Sequence, residues 1–383
     1  MSMNSNRKIN WLNTLFLIFT PIVGVVGAIL LSIYAGVHWQ TWVFAFFFMF
    51  VTGMSVTGGY HRLFSHRSYE ASWPIRLFFL LFGAGAFEGS ALEWSTDHRN
   101  HHRYVDTDKD PYSINKGFWY AHIGWLVTLN TKLRDFSNVN DLTKDPLLRF
   151  QHRFFIPLGI VFGFLVPMGV AALWGDALGG LIIAGALRIA VNHHLTFAIN
   201  SVCHTFGKRN YCDVQSAKDN WFTAIFTYGE GYHSFHHKFA VDYRNGVRAY
   251  HFDPTKWLIK TLAWFGLAKN LKKISRHRIL SQRILIKQKA LEAKLKQQQN
   301  ETHESWWHVF ENLRTSTQHI LQKVEKLETE HSKLRRLAHQ SAERKSLRNQ
   351  LKESKKILKN AYSELKGYLS LWGQLHRQFY RFA

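Results

Sequence analysis

Cysteine and proline are scarce in this sequence of 383 residues, which contains two cysteines and seven prolines. Two cysteines do not indicate a disulfide framework. Cys203 stands beside His204 and could touch a metal site, but we favour a small buried residue at this position. No proline follows Pro254, so the last third of the chain is free of the strongest helix breaker.

Negative charge is also scarce in that last third. From Leu271 to Ala383 there are 25 Lys and Arg against 10 Glu and no Asp, which accounts for most of the formal net charge of +23. A basic excess favours nucleic acid or an anionic membrane surface as a partner. Because the rest of the chain is apolar enough to enter a membrane, we favour lipid and expect no nucleic-acid partner.

Long apolar runs occupy much of the sequence before this basic tail. A helix needs about 20 residues to cross a bilayer, and the runs that reach this length lie at about 11–34, 39–58, 154–174 and 178–200. The first is too long for the apolar core of a secretory signal, and no convincing cleavage site follows it. The sequence therefore predicts an all-α integral membrane protein with four transmembrane helices.

The distribution of Lys and Arg indicates the orientation of these spans. The short links 35–40 and 175–177 contain neither residue, whereas Arg7, Lys8 and the basic tail fall on the other side. By the positive-inside rule, both termini and the region between the second and third spans face the cytoplasm. We expect a membrane domain over 1–270 and a basic helical tail over 271–383.

The remaining segments are predicted to form a helical cap and the tail. The apolar stretch 73–92 contains Arg76 and Glu88, so we interpret it as one buried or interfacial helix and not as a span. A polar loop, a short aromatic segment and a charged connection are expected at 106–115, 118–129 and 131–151. In the tail, apolar residues recur every three or four positions, which predicts amphipathic helices of the coiled-coil type with a break at 297–301.

Histidine is abundant and falls in three short clusters. They are, in chain order, His61 and His66; His98, His101 and His102; and His233, His236 and His237. Positions i, i+3 and i+4 share one face of a helix, so the rings of the later clusters can each point at one place. His61 and His66 lie about 140° apart on a regular helix, so one of them is expected where the helix ends or bends.

With His204, at the mouth of the fourth span, the clusters supply enough imidazoles for two metal ions with four or five ligands each. A single zinc site needs three or four ligands, and a copper site usually includes Met or Cys. Side chains alone do not break the inert C–H bonds of an alkyl chain, so a pair of metals beside a membrane suits O2 activation on a hydrophobic substrate.

Several polar residues near the clusters are candidates to orient the ligand rings, and each is as readily a helix cap or a surface charge. They are Asn200, Asp97, Asp219 and Glu230. His193 and His194 lie at membrane depth, where polar residues are costly. We interpret them as hydrogen-bonded to neighbouring helices or lining a cavity, and not as metal ligands.

The order of these motifs resembles that of the membrane fatty acyl desaturases, and in particular the stearoyl-CoA Δ9 branch. The resemblance covers roughly 11–266, and residues around the histidines also agree with the family pattern. The agreeing residues are Gly59-Tyr60-His61-Arg62-Leu63, Glu93-Trp94, Asp97-His98-Arg99, Asp110-Pro111, His122-Ile123-Gly124-Trp125, Asn200 with His204, and Gly229-Glu230-Gly231-Tyr232-His233.

The resemblance implies four transmembrane helices under a cytosolic cap that holds two non-haem iron ions. It implies that a saturated acyl chain is converted to a cis-monounsaturated one with O2 as co-substrate and two electrons. The nine histidines carry over as iron ligands and Asn200 as a residue that reaches one iron through water. Trp94 and Trp125 fall in the region of the acyl tunnel.

The sequence also departs from the family pattern. In the animal acyl-CoA enzymes, basic residues that meet the CoA phosphates stand where this chain has Thr96, Leu129 and Asn130, although Lys132 and Arg134 are near. Acyl-CoA is the expected substrate and an acyl-lipid is the alternative. No His-Pro-Gly-Gly haem motif is present, so a separate donor such as a ferredoxin or cytochrome b5 is expected.

Other functions stay open at this point. A membrane di-iron hydroxylase of alkyl substrates would use similar histidines, and a metal transporter or a non-catalytic scaffold represents a different class. The transporter is disfavoured because nearly all candidate ligands lie at one aqueous edge of the predicted spans. The tail is interpreted as a docking or self-association surface, or as a basic lid on anionic lipid headgroups.

Overall fold

The computed structural model of the protein describes residues 8–128, 135–297, 303–340 and 344–382. Within these ranges the regular structure is helical except for one two-stranded sheet. The chain forms two compact units. The first unit comprises Met1–Arg209 and Val214–Lys273, and the second comprises Asn210–Asp213 and Ile274–Ala383.

The helices long and apolar enough to cross a membrane confirm the four predicted spans. They are Trp11–Tyr34, Trp39–Ser65, Phe155–Ala172 and Ala177–Thr205. The second and fourth continue past their predicted ends at 58 and 200, and these extensions include His61 and His204. Three of the spans contain π-helical turns, at Ser55–Ser65, Val161–Leu165 and Gly180–Leu187.

The π-helical end of the second span explains the spacing of the first histidine cluster. His66 is the residue directly after the helix, and its backbone N–H donates to the carbonyl oxygen of His61 at 3.1 Å. This i→i+5 bond is the π-helical pattern. It brings residues five apart close together, which a regular α-helix would not do.

The stretch 73–92 is not one helix, so this prediction was wrong in extent. The helix Trp73–Ala84 ends in a turn, and the next helix is Ala91–Tyr104. Phe87 and Gly89 have positive φ angles of 56° and 90°. Ser90 then caps the second helix through a reciprocal capping box with Glu93. Apolar composition concealed the break, because the break depends on backbone conformation and on this polar pair.

Short elements connect the Ala91–Tyr104 helix to the third span. The helices and turns are Ile114–Lys116, Tyr120–Gly124, Trp125–Val127, Ser137–Val139, Asn140–Thr143 and Pro146–Arg153. The expected charged connection is thus helical where it is described. Gln151 within it is buried, accepts from the N–H of Ala91 and donates to the Tyr60 hydroxyl. Residues 129–134 lie outside the described ranges.

The spans pack tightly enough to bury a charged side chain. A Cβ atom at Gly24 would lie 2.6 Å from the Cα of Leu187, so glycine is needed where the first and fourth spans meet. Arg188 in the fourth span is 3% exposed, and its guanidinium donates to the carbonyl oxygens of Gly85 and Gly163 at 2.8 and 2.9 Å. Backbone carbonyls therefore stabilise this arginine at a depth where an unsatisfied charge would be costly.

The rest of the first unit closes around the histidine-bearing segments. Its remaining helices are Trp221–Phe226, His233–Lys238 and Pro254–Trp264. The strands Glu70–Ala71 and Ala268–Lys269 pair antiparallel, with Glu70 opposite Lys269. This pairing ties the end of the unit to the segment after the first histidine cluster.

The second unit contains the helices Arg276–Leu295, His303–Gln340 and Arg344–Phe382, which confirms the predicted amphipathic helices. They pack around a core that includes Phe310 and Trp372. Tyr211, from the short segment 210–213, accepts a hydrogen bond from Gln282. The predicted break at 297–301 follows the first of these helices, and its residues 298–301 lie outside the described ranges.

Candidate metal centre

The nine predicted histidines form two groups. In each group the ligating atoms lie within 4.8 Å of one another. The groups are His61, His66, His98, His102 and His236, and His101, His204, His233 and His237. The i and i+4 rings of each later cluster enter one group, and the i+3 ring enters the other. The three rings of a cluster thus point at two places instead of the one place that the spacing allows.

The contacts between ring nitrogens in each group suit a cation better than hydrogen bonds. Nε2 of His236 lies 2.9 Å from Nε2 of His61 and 2.9 Å from Nε2 of His102. One Nε2 atom donates at most one proton, and an unprotonated pair of nitrogens repels. His237 has the same arrangement in the other group. Lone pairs that converge on a shared cation satisfy all of these atoms together.

Burial favours the neutral form that a metal ligand needs. Burial, followed by neighbouring imidazoles, lowers the pKa of six of these rings well below the ordinary value of a histidine. They are His66, His98, His102, His233, His236 and His237. These rings keep their lone pairs at neutral pH.

Glu230 orients the His61 ring, as the sequence suggested. Its Oε2 accepts from Nδ1 of His61 at 2.9 Å, and its Oε1 accepts from the Arg62 guanidinium at 2.9 Å. Arg62 also pairs with buried Asp253. Although burial alone would raise the pKa of Glu230, the charge of Arg62 and the hydrogen bonds from Arg62 and His61 lower it. The carboxylate stays ionised and directs Nε2 of His61 into the group.

A second set of orienting residues was not predicted. Nδ1 of His101 donates to Asp110 at 2.9 Å. Nδ1 of His204 lies 2.6 Å from the hydroxyl of Ser216, which donates to Asp106. Both aspartates come from the polar loop that follows the second cluster, and this position in the sequence could have indicated their role beside the histidines. Ser216 is distant in sequence from that loop, and no sequence feature indicated its role.

The other proposed orienting residues have different surroundings. Asp219 accepts from the backbone N–H of Phe235 at 3.1 Å, so it supports the helix that carries the last cluster. Asp97 and Asn200 both line a cavity that His233 also lines. The role of Asn200 that the resemblance implies stays a prediction.

This cavity has a volume of about 1380 Å³ and extends from the imidazoles along apolar side chains. Its lining includes His61, His98 and His233 from the centre. Phe16, Phe87, Ile160 and Phe164 line it with aromatic and aliphatic groups, and Asn10, Asn13, Lys109, Lys116 and Arg153 contribute polar groups. A long apolar ligand with a polar end matches this lining.

Trp94 lines the cavity beside the first imidazole group. Its ring stacks on His98 with centroids 4.7 Å apart. Its Nε1 donates to Glu88 at 3.3 Å, and Glu88 also accepts from the Thr196 hydroxyl at 2.9 Å. Burial raises the pKa of Glu88 to about 7, against the effect of these hydrogen bonds. Trp125 also lines the cavity.

Glu88 and Thr196 were not predicted as residues of the site. Glu88 could have been identified because it is a lone acidic residue in an apolar stretch. No sequence feature distinguished Thr196.

His193, His194 and Cys203 lie outside both imidazole groups, in agreement with our interpretation. Nε2 of His193 lies 2.8 Å from the carbonyl oxygen of Ala86. Nδ1 of His194 lies 3.1 Å from Nε2 of His122. Cys203 is buried as a free thiol.

Comparison with known proteins agrees with this geometry. The family model for fatty acid desaturase matches residues 37–269. Acyl-CoA desaturase 1 of Saccharomyces cerevisiae is 43% identical over 293 residues, which cover 76% of this chain and 57% of that protein. A probable acyl-CoA desaturase of Schizosaccharomyces pombe is 43% identical over 288 residues, or 75% of this chain and 59% of the relative.

Stearoyl-CoA desaturase 5 of Bos taurus is 37% identical over 247 residues, which cover 62% of this chain and 73% of that protein. The chain spans less than two thirds of the length of the two relatives from Saccharomyces and Schizosaccharomyces. The family match covers the nine histidines of the two groups and the second, third and fourth spans. The chain therefore belongs to the fatty acid desaturase family.

Proposed function

We propose that the protein is an acyl-CoA desaturase that introduces a cis double bond, at Δ9, into a saturated acyl chain. One observation carries this proposal: two imidazole groups adjoin a long, largely apolar cavity. In the balanced reaction, two neighbouring carbons each lose one hydrogen. One O2, two electrons and two protons are consumed, and two molecules of water form.

We propose iron as the metal in both groups, with the nine histidines as its ligands and Asn200 reaching one site through water. The donor set fits, because neutral imidazoles suit iron and the described groups contain no thiolate that would favour zinc or copper(I). Iron would supply the redox chemistry that activates O2 against an unactivated C–H bond.

The residues of the chain supply position and environment. Glu230, Asp110 and Ser216 fix the rings of His61, His101 and His204 through their Nδ1 atoms. The apolar lining holds the acyl chain and excludes water from the reacting carbons. Trp94 donates to Glu88, which also accepts from Thr196, and the Trp94 ring stands beside His98 and limits the path of the chain. We propose that a bend of the acyl chain at Trp94 fixes the position and the cis geometry of the double bond.

Acyl-CoA is proposed as the substrate because the cavity has cationic residues among its polar lining. Lys109, Lys116 and Arg153 could meet phosphate groups of the carrier. Thr96, which replaces a basic residue of the animal enzymes, is buried and donates to the Leu92 carbonyl, so it is not available to a phosphate. Leu129, Asn130, Lys132 and Arg134 lie outside the described residues. The relatives named above as acyl-CoA desaturases support the same carrier.

We also propose that both termini and the imidazole centre face the cytoplasm, and that a separate small redox protein delivers the electrons. The absence of Lys and Arg from the two short links supports this orientation. In this proposal residues 1–270 form the catalytic membrane domain and residues 271–383 an accessory tail.

The proposal is tested by expressing the chain in a desaturase-deficient host and locating double bonds in total fatty acids by mass spectrometry. New hexadecenoic or octadecenoic acid with a cis double bond at carbon 9 is expected. Hydroxylated fatty acids without new double bonds would indicate a hydroxylase instead. If neither product forms when a ferredoxin or cytochrome b5 donor system is supplied, the catalytic proposal is wrong.

A further inference from the structure

The helices His303–Gln340 and Arg344–Phe382 pack against each other as a hairpin, and the side chains in one part of this hairpin are less buried than in the rest. Its buried side chains lie at 310–324 and 361–379, where the Arg276–Leu295 helix contributes to the same core. In the stretches 325–338 and 346–360, which we call the hairpin arm, none of the side chains is buried. Leu327 and Leu358 of the arm are half-buried and pack against the core, but packing does not explain the cationic side chains that the arm presents.

The arm contains a cleft of about 580 Å³ between its two helices. It is lined by His331, Arg335, Ala338, Arg348, Leu351, Lys352 and Lys355. Residues spaced by three, four or seven positions share one face of a helix, so each helix directs its members of this set to the same side. A contact of 3.1 Å between Nδ1 of His331 and the hydroxyl of Ser354 joins the two helices beside the cleft.

The charges around the cleft are unbalanced. Four cationic side chains line it, and no carboxylate does so among the residues that are described. Within the described part of the arm, none of these cations forms an ion pair. From His331 to Lys359 the sequence has 10 Lys and Arg against two Glu. Like charges at i and i+4, such as Arg348 and Lys352, destabilise a helix unless an anion offsets them.

We propose that this cleft binds a phosphate-bearing anion. Arginine presents a planar fork that pairs with two phosphate oxygens, and lysine adds a mobile point charge. Two of each around one cleft match a group with more than one negative charge. The phosphate could belong to an anionic phospholipid headgroup or to a soluble polyphosphate. Leu337 and Ile357, exposed by 53% and 44% in the same arm, add apolar surface that suits the lipid source.

The test uses the full chain in nonionic detergent and isothermal titration calorimetry with three probes. They are inorganic pyrophosphate, dihexanoyl phosphatidylglycerol and, as a zwitterionic comparison, dihexanoyl phosphatidylcholine. We expect phosphatidylglycerol to bind and phosphatidylcholine not to bind. Competition by pyrophosphate would show that the phosphate alone is recognised. Binding of phosphatidylglycerol without competition would assign the lipid headgroup, and binding of pyrophosphate alone would assign a soluble anion.

Two variants with equal loss of positive charge distinguish binding at the cleft from general attraction of anions to the basic arm. Arg335→Gln, Arg348→Gln and Lys352→Gln together remove cations that line the cleft. Lys333→Gln, Arg336→Gln and Lys356→Gln together remove exposed cations of the same arm outside it. We expect the first variant to bind the anionic probe about tenfold more weakly or worse, and the second to lose much less. Equal losses, or no binding of either anionic probe to the wild type, would overturn the proposal.

Discussion

The two units hold their basic side chains in opposite ways. In the first unit, imidazoles are buried against one another, and burial lowers their pKa values so that the rings stay neutral. In the hairpin arm, Arg and Lys side chains stay exposed and charged. A buried neutral imidazole presents a lone pair, which suits a cation, whereas an exposed guanidinium presents N–H groups and charge, which suit an anion. The basic side chains of the two units thus suit ligands of opposite charge.

Removal of one imidazole from each unit should give the largest difference between the two units. His101→Ala should abolish desaturation and lower iron content, because His101 belongs to the four-membered group. His308→Ala, in an exposed position of the second unit, is the matched control and should change neither. Fatty-acid analysis and metal analysis of the purified protein measure both effects. Full activity of the His101 variant would refute the metal assignment.

A smaller effect is expected from the residue that orients His61. Both oxygens of Glu230 accept from donors, so Glu230→Gln must place its NH2 group against another donor. Loss of such an orienting partner typically lowers metal affinity or activity by about 10- to 100-fold.

Iron content at limiting metal and the rate of desaturation measure this change. Glu70→Gln, at an exposed ion pair with Lys269, should have no measurable effect. If the two variants behave alike, Glu230 does not position His61.

The second unit should respond to a core mutation without loss of chemistry. Trp372 is 0% exposed, and its indole N–H donates to Thr317. Trp372→Ala should destabilise the three-helix core by about 3–5 kcal/mol, measured as a lower urea midpoint for the second unit. Leu371→Ala, at a neighbouring residue that is 45% exposed, should cost far less. Loss of iron in the Trp372 variant would show that the units are not independent in this respect.

The same contrast explains what the sequence could predict. The spans and the tail helices follow from local hydrophobic patterns, and the histidine spacing indicated that nine rings meet. The division of each cluster between two groups depends on the approach of other helices, which spacing does not specify. The π-helical turn that joins His61 to His66 and the break at Gly89 depend on backbone geometry. Ser216 reaches His204 only through the tertiary fold.

Removing the second unit tests whether the first carries the chemistry by itself. A chain that stops after Lys273 should keep its iron and enter the membrane, because all nine clustered histidines precede that point. Activity should fall without vanishing, since Tyr211 and Cys212, buried in the full chain, would lose the helices they accompany. Fatty-acid analysis in the same host measures the remainder. Complete loss with normal iron content would assign the tail to catalysis or to electron delivery.

The smallest expected effect concerns a single buried proton in the first unit. Burial raises the pKa of Glu88 to about 7, above that of an ordinary glutamate, so the folded protein holds this proton more tightly than the unfolded chain does. Between the ordinary pKa of a glutamate and about 7, the unfolded chain loses this proton while the folded protein keeps it, so stability from this group is lost as the pH rises. Glu88→Gln has no such proton, and its amide can still accept from Trp94 and donate to Thr196.

The melting temperature of Glu88→Gln relative to wild type should therefore increase between about pH 5 and about pH 8. Protonation of the histidines affects both proteins alike and cancels in the difference. Glu70→Gln, at an exposed carboxylate, should show no such increase. A constant difference for Glu88→Gln across this range would mean that Glu88 is already ionised in the folded protein, with the hydrogen bonds from Trp94 and Thr196 outweighing its burial.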